Sequence, residues 1–271
     1  MLLGGFDGLH VGHRLLLARA QTEGLPVGLM TIVGGKEDCL FTFAERERIF
    51  QAAGVDFVFE LPFSEIKDCS AEDFLAILTK EFSPNLFVCG EDFRFGKQAL
   101  GTPKQIKQSA HVRVEVLSLL KIDGEKVSAR RIKTLLKNGE IESANKLLGH
   151  SFFMMGKVVK DRQIGRTMGF PTANIRYPEG KFPLKKGVYE TRVCVNGITY
   201  QGITNYGARP TFDDETVLTE TYLDGFDGDL YDKNLTVEFI RYLRDIKKFD
   251  GVEGLKTQLQ QDIANIRDSK A

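Results

Sequence analysis

Two of the four histidines in the chain lie three residues apart, directly after a short apolar segment. His10 and His13 belong to the segment 4–13, of sequence GGFDGLHVGH, whose glycines allow tight turns and close approach to a ligand. A helix that begins here holds both imidazoles on one side of its first turn, and its free N–H groups attract anions. The segment therefore predicts a site that stabilises charge on a phosphate under attack. The alternative is two ordinary polar residues at a helix start.

A second polar group stands in the other half of the chain. Thr172 and Asn174 close the segment 165–174, of sequence GRTMGFPTAN. Their hydroxyl and amide oxygens are hard donors that suit Mg²⁺ beside phosphates. The P-loop pattern is absent. From the residues alone, an ordinary strand with flanking turns remains an equal alternative.

Composition limits the partners. The chain has 271 residues, 42% hydrophobic and 27% charged, which is typical of globular domains and sufficient for two of them. The 37 basic and 37 acidic residues cancel, so we expect no nucleic-acid partner. Apolar runs stay below about 18 residues, so we expect no membrane partner. The apolar start is also too short for a signal peptide. The four cysteines show no zinc or disulfide spacing, which favours the cytoplasm.

The first 120 residues alternate between apolar runs and segments of helical character. Such alternation predicts a doubly wound α/β domain, whose ligands lie beyond the carboxyl ends of the strands. The predicted strands are Met1–Leu3, Val27–Val33, Phe57–Leu61, Leu86–Cys89 and Val112–Leu117. The predicted helices are Val11–Thr22, Phe43–Ala53, Ala71–Phe82, Pro103–Ser109, Ser128–Lys137 and Glu140–Leu148. Thr42 and Glu45 form a predicted capping box before the second helix.

The pattern changes after Gly149, so we place a domain boundary near residue 150. The two predicted domains are 1–150 and 151–271. Alternating segments predict strands of an antiparallel sheet or barrel, at Gly187–Val195, Ile198–Thr204, Val217–Tyr222 and Leu235–Tyr242. Asn196 and Gly197 form a two-residue hairpin signal between the first two. A terminal helix is predicted at Val252–Ile266.

The segment 4–13 resembles the H-x-G-H signature of nucleotidylyltransferases. Its longer form, G-x-F-D-G-x-H-x-G-H, resembles the bacterial riboflavin kinase/FAD synthetase family, and so does the segment 88–96, VCGEDFRFG. The resemblance implies a nucleotidyltransferase-type, Rossmann-like first domain in which His10 and His13 are catalytic. It also implies nucleotide- and flavin-binding roles for Gly5, Phe6, Asp7, Gly8, Asp92, Phe93, Arg94, Ser128 and Arg131.

Two segments of the first half depart from the family pattern. Where the family commonly has F-x-P-H-P-R, residues 31–36 read TIVGGK. Where it has I-S-S-T-x-x-R, residues 127–133 read VSARRIK, so that Lys133 replaces an arginine and its bidentate fork. If the segment is aligned with the family pattern in a shifted register, Arg131 or Arg130 supplies that fork. The alternative is that the segment is only a capped helix start with basic residues.

The second half resembles riboflavin kinases in the segment 165–174, in NYGARPTF at 205–212, in ETYL at 220–223 and in FIRYLR at 239–244. The resemblance implies a kinase-type antiparallel β-barrel with a terminal helix. The resemblance implies that Thr172 and Asn174 hold Mg²⁺ and phosphate and that Glu220 is the catalytic base. It implies nucleotide- or flavin-binding roles for Gly156, Lys157, Gly169, Pro171, Asn205 and Arg209.

The resulting prediction is a bifunctional flavin enzyme. Domain 151–271 phosphorylates riboflavin with ATP and Mg²⁺ to FMN, and domain 1–150 adenylylates FMN with a second ATP to FAD and pyrophosphate. Two alternatives remain open: an enzyme with one active half, and a flavin-binding regulator without catalysis. A class I aminoacyl-tRNA synthetase fragment shares H-x-G-H but is disfavoured, because the chain has no anticodon-binding region and no net positive charge.

Overall fold

The computed structural model describes residues 1–35, 38–109, 112–160, 170–207, 217–249 and 251–268. The chain divides into two compact units, Met1–Ile132 and Lys133–Ala271. Among the described residues, no helix combines the length and the apolar character needed to cross a membrane.

The first unit contains a five-stranded parallel sheet of order β3-β2-β1-β4-β5. Its strands are β1 Leu2–Leu3, β2 Gly28–Val33, β3 Phe57–Pro62, β4 Leu86–Gly90 and β5 Arg113–Leu117. Its helices are α1 Val11–Gln21, α2 Phe43–Ala52, α3 Phe63–Ile66, α4 Ala71–Phe82 and α5 Pro103–Ser109. The predicted Rossmann-like α/β fold is confirmed, because the strand order reverses between β1 and β4 as in doubly wound sheets.

Three helices of this unit begin at residues whose side chains cap them. Thr42 and Glu45 form the predicted capping box at α2. The Ser70 hydroxyl accepts the Asp73 N–H at α4. At α1 the capping group is the His10 side chain, which accepts the His13 N–H. The His10 side chain therefore has two roles in the structure: it caps the start of α1, and it belongs to the candidate site.

The chain after β5 forms a feature that the sequence analysis did not predict. Strands β6 Lys121–Ile122 and β7 Glu125–Lys126 form a separate two-stranded hairpin. Its turn residues Asp123 and Gly124 have φ values of 55° and 79°, as in the turns that Asp-Gly sequences favour. Helices α6 Ala129–Asn138 and α7 Ile141–Leu148 follow, close to their predicted ranges.

The second unit contains a closed antiparallel barrel of order β10-β11-β12-β9-β8-β13. Its strands are β8 Phe152–Val159, β9 Thr172–Arg176, β10 Gly187–Val195, β11 Ile198–Gly207, β12 Leu218–Leu223 and β13 Asn234–Arg244. Helix α8, Val252–Asp268, ends the described chain. The predicted barrel with a terminal helix is confirmed. Strand β8 was not among the predicted strands, because Gly156 and Lys157 interrupt the apolar run of its sequence FFMMGKVV, which also shows no alternation.

Side chains inside and outside the barrel differ in chemistry. A row of fully buried threonines lies inside, where the Thr204 hydroxyl is 2.9 Å from both the Thr191 and the Thr221 hydroxyl. Because side chains alternate along a strand, Asn205 and Glu220 lie on the opposite, outer face. Part of that outer face packs against Ile263 and Ile266 of α8. The buried threonine hydroxyls bond to one another inside the barrel, so the polar groups that can meet a ligand are those on the outer face.

We predict that Gly202→Ala destabilises the barrel. A Cβ at this position stands 2.8 Å from the Tyr222 carbonyl oxygen and 2.9 Å from the Thr191 hydroxyl. The carbonyl belongs to the neighbouring strand and cannot move without breaking the ladder, so we expect a loss of about 1–3 kcal/mol. Urea unfolding of the full chain measures it.

Gly254→Ala is the matched control for this substitution. Its Cβ meets nothing closer than 3.7 Å, and the residue lies in α8. Alanine favours a helix over glycine, so we expect a gain of up to about 1 kcal/mol. Equal stability of the two variants contradicts the close packing described at Gly202.

Candidate active sites

A cavity of about 350 Å³ lies where the chain leaves the carboxyl ends of β1, β4 and β5. Ligands of doubly wound sheets bind at this edge. Of the residues predicted for the first site, those that line it are Gly5, Phe6, Asp7, His10, His13, Asp92, Phe93, Arg94 and Ser128. Gly8 and Arg131 are not part of the lining, although the Gly8 carbonyl contacts His13.

The two imidazoles are stacked, with ring centroids 3.6 Å apart and planes inclined by 13°. His10 Nδ1 accepts the His13 backbone N–H at 3.2 Å, so the proton of a neutral His10 ring resides on Nε2. His13 Nδ1 lies 3.0 Å from the Gly8 carbonyl oxygen, which can only accept, so His13 carries its proton on Nδ1. The backbone thus assigns a different tautomer to each ring.

Both histidines are neutral at physiological pH. Burial lowers the pKa of His10 to about 2, with a further decrease from the neighbouring His13. Burial lowers the pKa of His13 to about 4, although the Gly8 contact and Asp92 act in the opposite direction. The pair therefore offers His10 Nε2–H as a neutral hydrogen-bond donor and His13 Nε2 as an acceptor.

Small residues keep the loop close to the rings. A Cβ on Gly12 stands 3.2 Å from the His10 ring, and a Cβ on Gly8, whose φ is 105°, stands 2.9 Å from the Phe41 ring. Asp7 is buried and accepts the Leu40 N–H at 2.8 Å. This contact ties the loop 4–10 to the segment before α2, so Asp7 also shapes the site.

The cavity contains a cation that the sequence analysis did not assign to the site. The Lys126 ammonium forms an ion pair with Asp92, and both residues line the cavity. The side chains are 40% and 46% exposed, so a ligand can reach either. Lys126 also lowers the pKa values of His10 and His13, which places its charge within reach of both rings. Its position at the end of the Asp-Gly hairpin was the available sequence signal.

The remaining basic and hydroxyl residues have local contacts. Arg94 Nη1 donates to the Phe93 carbonyl at 2.8 Å. The Ser128 hydroxyl accepts the Arg131 N–H at 3.3 Å, at the start of α6. The Arg131 guanidinium donates to the carbonyls of Ile122 and Glu125 instead of lining the cavity. The Arg131 guanidinium therefore faces the hairpin carbonyls and is not part of the cavity lining.

In the second unit, three predicted residues lie side by side on neighbouring strands. Glu220 on β12 is paired in register with Asn205 on β11 and with Asn174 on β9. The amide oxygens of Asn174 and Asn205 are buried and have no hydrogen-bond partner among the described residues. Unsatisfied buried oxygens beside a carboxylate indicate a site for a cation or a hydroxyl donor.

A second cavity, of about 450 Å³, adjoins this row. Pro171, Thr172 and Asn174 line it, together with the segment 226–231. That segment, of sequence FDGDLY, brings two carboxylates and two aromatic rings to the cavity. No role was predicted for this segment from the sequence, since only the barrel closure brings it to β9.

Other predicted residues of the second site have different surroundings. A Cβ on Gly156 would collide with the Ile175 side chain, so a glycine at this position lets β8 approach β9. Lys157 forms a 2.8 Å ion pair with Asp232. Gly169 and Arg209 lie outside the described residues.

The fold and the two sites define a two-domain transferase of the nucleotide-handling class. The FAD synthetase family model matches residues 1–131, and the riboflavin kinase family model matches residues 148–270. A bifunctional riboflavin kinase/FMN adenylyltransferase of Pseudomonas fluorescens is 32% identical over 98% of this chain and 91% of its own length. The enzyme of the same description from Listeria monocytogenes is 30% identical with the same coverage. The chain belongs to the bifunctional riboflavin kinase/FMN adenylyltransferase family.

A solved structure is similar over the same extent. A crystal structure described as a macrolide-efflux protein from Streptococcus pneumoniae has a TM-score of 0.89 and 29% identity. The match covers 98% of this chain and 92% of that one. The likeness extends over both units.

We predict that acid destabilises the first unit through the histidine pair. The folded pKa values lie below the ordinary value near 6.5, so the unfolded chain binds more protons below pH 6.5. Stability is therefore complete above that pH and decreases as the pH falls towards 4. Between pH 7 and pH 5 we expect a loss of up to about 2 kcal/mol for each histidine. Hydrogen–deuterium exchange of α1 at both pH values measures the loss.

His13→Gln provides the comparison, because glutamine does not titrate. We expect this variant to lose about half of the pH dependence in α1, while exchange in the barrel stays unchanged. An α1 that is as acid-sensitive in His13→Gln as in the unmodified chain contradicts the assignment.

Proposed function

We propose that the chain catalyses both reactions of its family: ATP-dependent phosphorylation of riboflavin to FMN, and adenylylation of FMN to FAD with release of pyrophosphate. The observation that carries the proposal is the neutral, stacked pair His10 and His13 in a cavity at the carboxyl edge of the first sheet. The riboflavin, FMN and ATP that the family uses are the substrates. The assignment of these activities to residues 1–150 and 151–271 is part of the proposal.

In the first half, an FMN phosphate oxygen attacks the α-phosphorus of ATP, and pyrophosphate leaves with the electrons of the broken P–O bond. The FMN phosphate is already ionised at neutral pH, so no general base is required. His10 Nε2–H donates to the α-phosphate oxygens, where charge accumulates in the transition state. Lys126 provides the positive charge that the neutral imidazoles do not. Positioning and charge stabilisation then account for the catalysis.

In the second half, Glu220 accepts the proton of the ribityl 5′-hydroxyl as that oxygen attacks the γ-phosphorus of ATP. ADP leaves with the electrons of the broken P–O bond. Asn205, paired with Glu220 in register, presents a buried amide oxygen beside the base. Its role in the proposal is to accept a hydrogen bond from the ribityl chain and align the attacking hydroxyl.

Mg²⁺ fits the donors of the second site. Asn174 is 5% exposed, its amide oxygen has no partner among the described residues, and Thr172 lines the same cavity. Hard, neutral oxygens beside phosphates suit this ion, which completes its shell with phosphate oxygens and water. When bound, the ion neutralises charge on the β- and γ-phosphates.

We also propose a cytoplasmic location. The four cysteines, all within the described part of the chain, are free of disulfides. A reducing compartment fits this state. The riboflavin, FMN and ATP that the enzyme consumes are small molecules, in agreement with the net charge of zero.

We predict that two substitutions separate the activities. His13→Ala removes the ring that stacks on His10 and the Gly8 contact, so the donor His10 loses its orientation and we expect FAD formation from FMN to fall by about 10²–10³ in rate. FMN formation from riboflavin should stay within about twofold, since Glu220 is untouched. Glu220→Ala should do the reverse. Chromatography of products from riboflavin or FMN, each with ATP and Mg²⁺, measures both rates.

The same assay discriminates the alternatives. FMN that accumulates without FAD in the unmodified enzyme indicates one active half, and flavin binding without turnover indicates a regulator. Loss of both activities in a folded single variant refutes the two-site proposal.

We predict that Asn174→Leu raises the Mg²⁺ concentration needed for FMN formation by at least about tenfold, because an isosteric side chain removes one oxygen ligand. FAD formation from FMN should keep its original Mg²⁺ dependence, which makes that reaction the internal control. A magnesium titration of both rates provides the measurement. An unchanged midpoint for FMN formation removes Asn174 from the metal site.

A further inference from the structure

The β6–β7 hairpin is too small to hold its own shape. It has two residues in each strand and pairs Lys121 with Lys126 and Ile122 with Glu125. An isolated two-stranded hairpin is marginally stable in water at best. Its fixed position must therefore come from contacts with other parts of the first unit.

Arg131, in the first turns of α6, provides these contacts to both strands. Its Nη1 donates to the Ile122 carbonyl at 2.8 Å, on β6, and to the Glu125 carbonyl at 3.1 Å, on β7. Its Nε lies 3.1 Å from the Glu125 carboxylate. The Arg131 side chain is only 21% exposed, so water competes weakly for these charge-assisted bonds. One planar guanidinium thus joins the hairpin to the helix that follows it.

The hairpin carries the cation of the adenylylation cavity. Lys126 is the last residue of β7, forms the ion pair with Asp92 and lines the cavity beside the histidine pair. Its effect on both histidines shows that its charge reaches the rings. Arg94, which is the other arginine or lysine among the described residues of the cavity lining, donates to the Phe93 carbonyl. The location of positive charge in the cavity therefore depends on where the hairpin holds Lys126.

We infer that Arg131 is a positioning residue for adenylyl transfer: it clamps the hairpin so that Lys126 stands beside His10 and His13 and meets the charge of the leaving pyrophosphate. The inference rests on the proposed function of the first half. The triphosphate carries more negative charge than Asp92, so Lys126 exchanges its carboxylate partner for phosphate oxygens when ATP binds. A clamped backbone lowers the conformational entropy lost in that exchange.

Steady-state kinetics of FAD formation from FMN tests the inference with Lys126→Ala, Arg131→Ala, Arg131→Lys and the double variant Lys126→Ala/Arg131→Ala. We expect kcat to fall by about 10² in Lys126→Ala and by about 10 in Arg131→Ala. Arg131→Lys should resemble Arg131→Ala, because an ammonium lacks the fork that reaches both strands. The double variant should fall no further than Lys126→Ala, since Arg131 acts through that lysine.

Lys137→Ala is the matched control, because it removes an exposed cation from the last turn of the same helix. It should retain the kcat of the unmodified enzyme. FMN formation from riboflavin, a reaction of the other unit, should stay unchanged in every variant and thereby verify folding. A kcat for Arg131→Ala equal to that of the unmodified enzyme, or multiplicative losses in the double variant, overturns the inference.

NMR titration of His13 in the protein without ligands gives a readout that needs no catalysis. Lys126 lowers the pKa of His13, so Lys126→Ala should raise it, and Arg131→Ala should raise it in the same direction by releasing the hairpin. An unmodified enzyme that forms no FAD refutes the proposed function and leaves this titration valid. A pKa of His13 that responds to Lys126→Ala and not to Arg131→Ala refutes the clamp.

Discussion

The geometry of the first site depends on the pairing of a strand only two residues long. Leu2 and Leu3 are completely buried and pair with β2 on one side and β4 on the other. This central position fixes the point at which the glycine-rich loop leaves the sheet. The loop must then turn within a few residues, and the His13 contact with the Gly8 carbonyl closes that turn. The central strand β1 thus fixes the start of the loop, and the loop in turn fixes the Gly8 contact that sets the tautomer of His13.

The two halves of the chain assemble phosphate chemistry by different constraints. In the first half, parallel strands end at one edge, and the loops after them meet because the edge is shared. In the second half, antiparallel register brings Asn205, Glu220 and Asn174 into one row across three strands. A shift of one residue in β12 would turn Glu220 into the barrel. The threonine network inside the barrel opposes such a shift, because it would lose its paired hydroxyls.

The sequence predicted features that depend on local patterns, and it missed those that depend on register and long-range contact. The five strands of the parallel sheet, the capping box at Thr42 and the histidine pair follow from composition and short spacings. The ion pair of Lys126 with Asp92 joins residues 34 positions apart and needs the folded sheet. Ligand binding by Arg131 stays a prediction, and the fold adds that its guanidinium faces two carbonyls of a hairpin that was not predicted. The sequence motif identifies Arg131, but the direction of its side chain follows only from the fold.

Burial of the histidines explains why a separate cation is needed. Desolvation favours the neutral imidazole, so the ring pair supplies direction and hydrogen bonding without net charge. A triphosphate, however, requires positive charge close to the reacting phosphorus. The chain as a whole cannot supply it by its overall field, since its net charge is zero. Lys126 is a side chain that is held locally, remains partly hydrated and can supply this charge. The buried, neutral imidazoles thus provide hydrogen bonding, and the exposed, clamped ammonium of Lys126 provides positive charge. A single charged histidine would provide both only if it were less deeply buried.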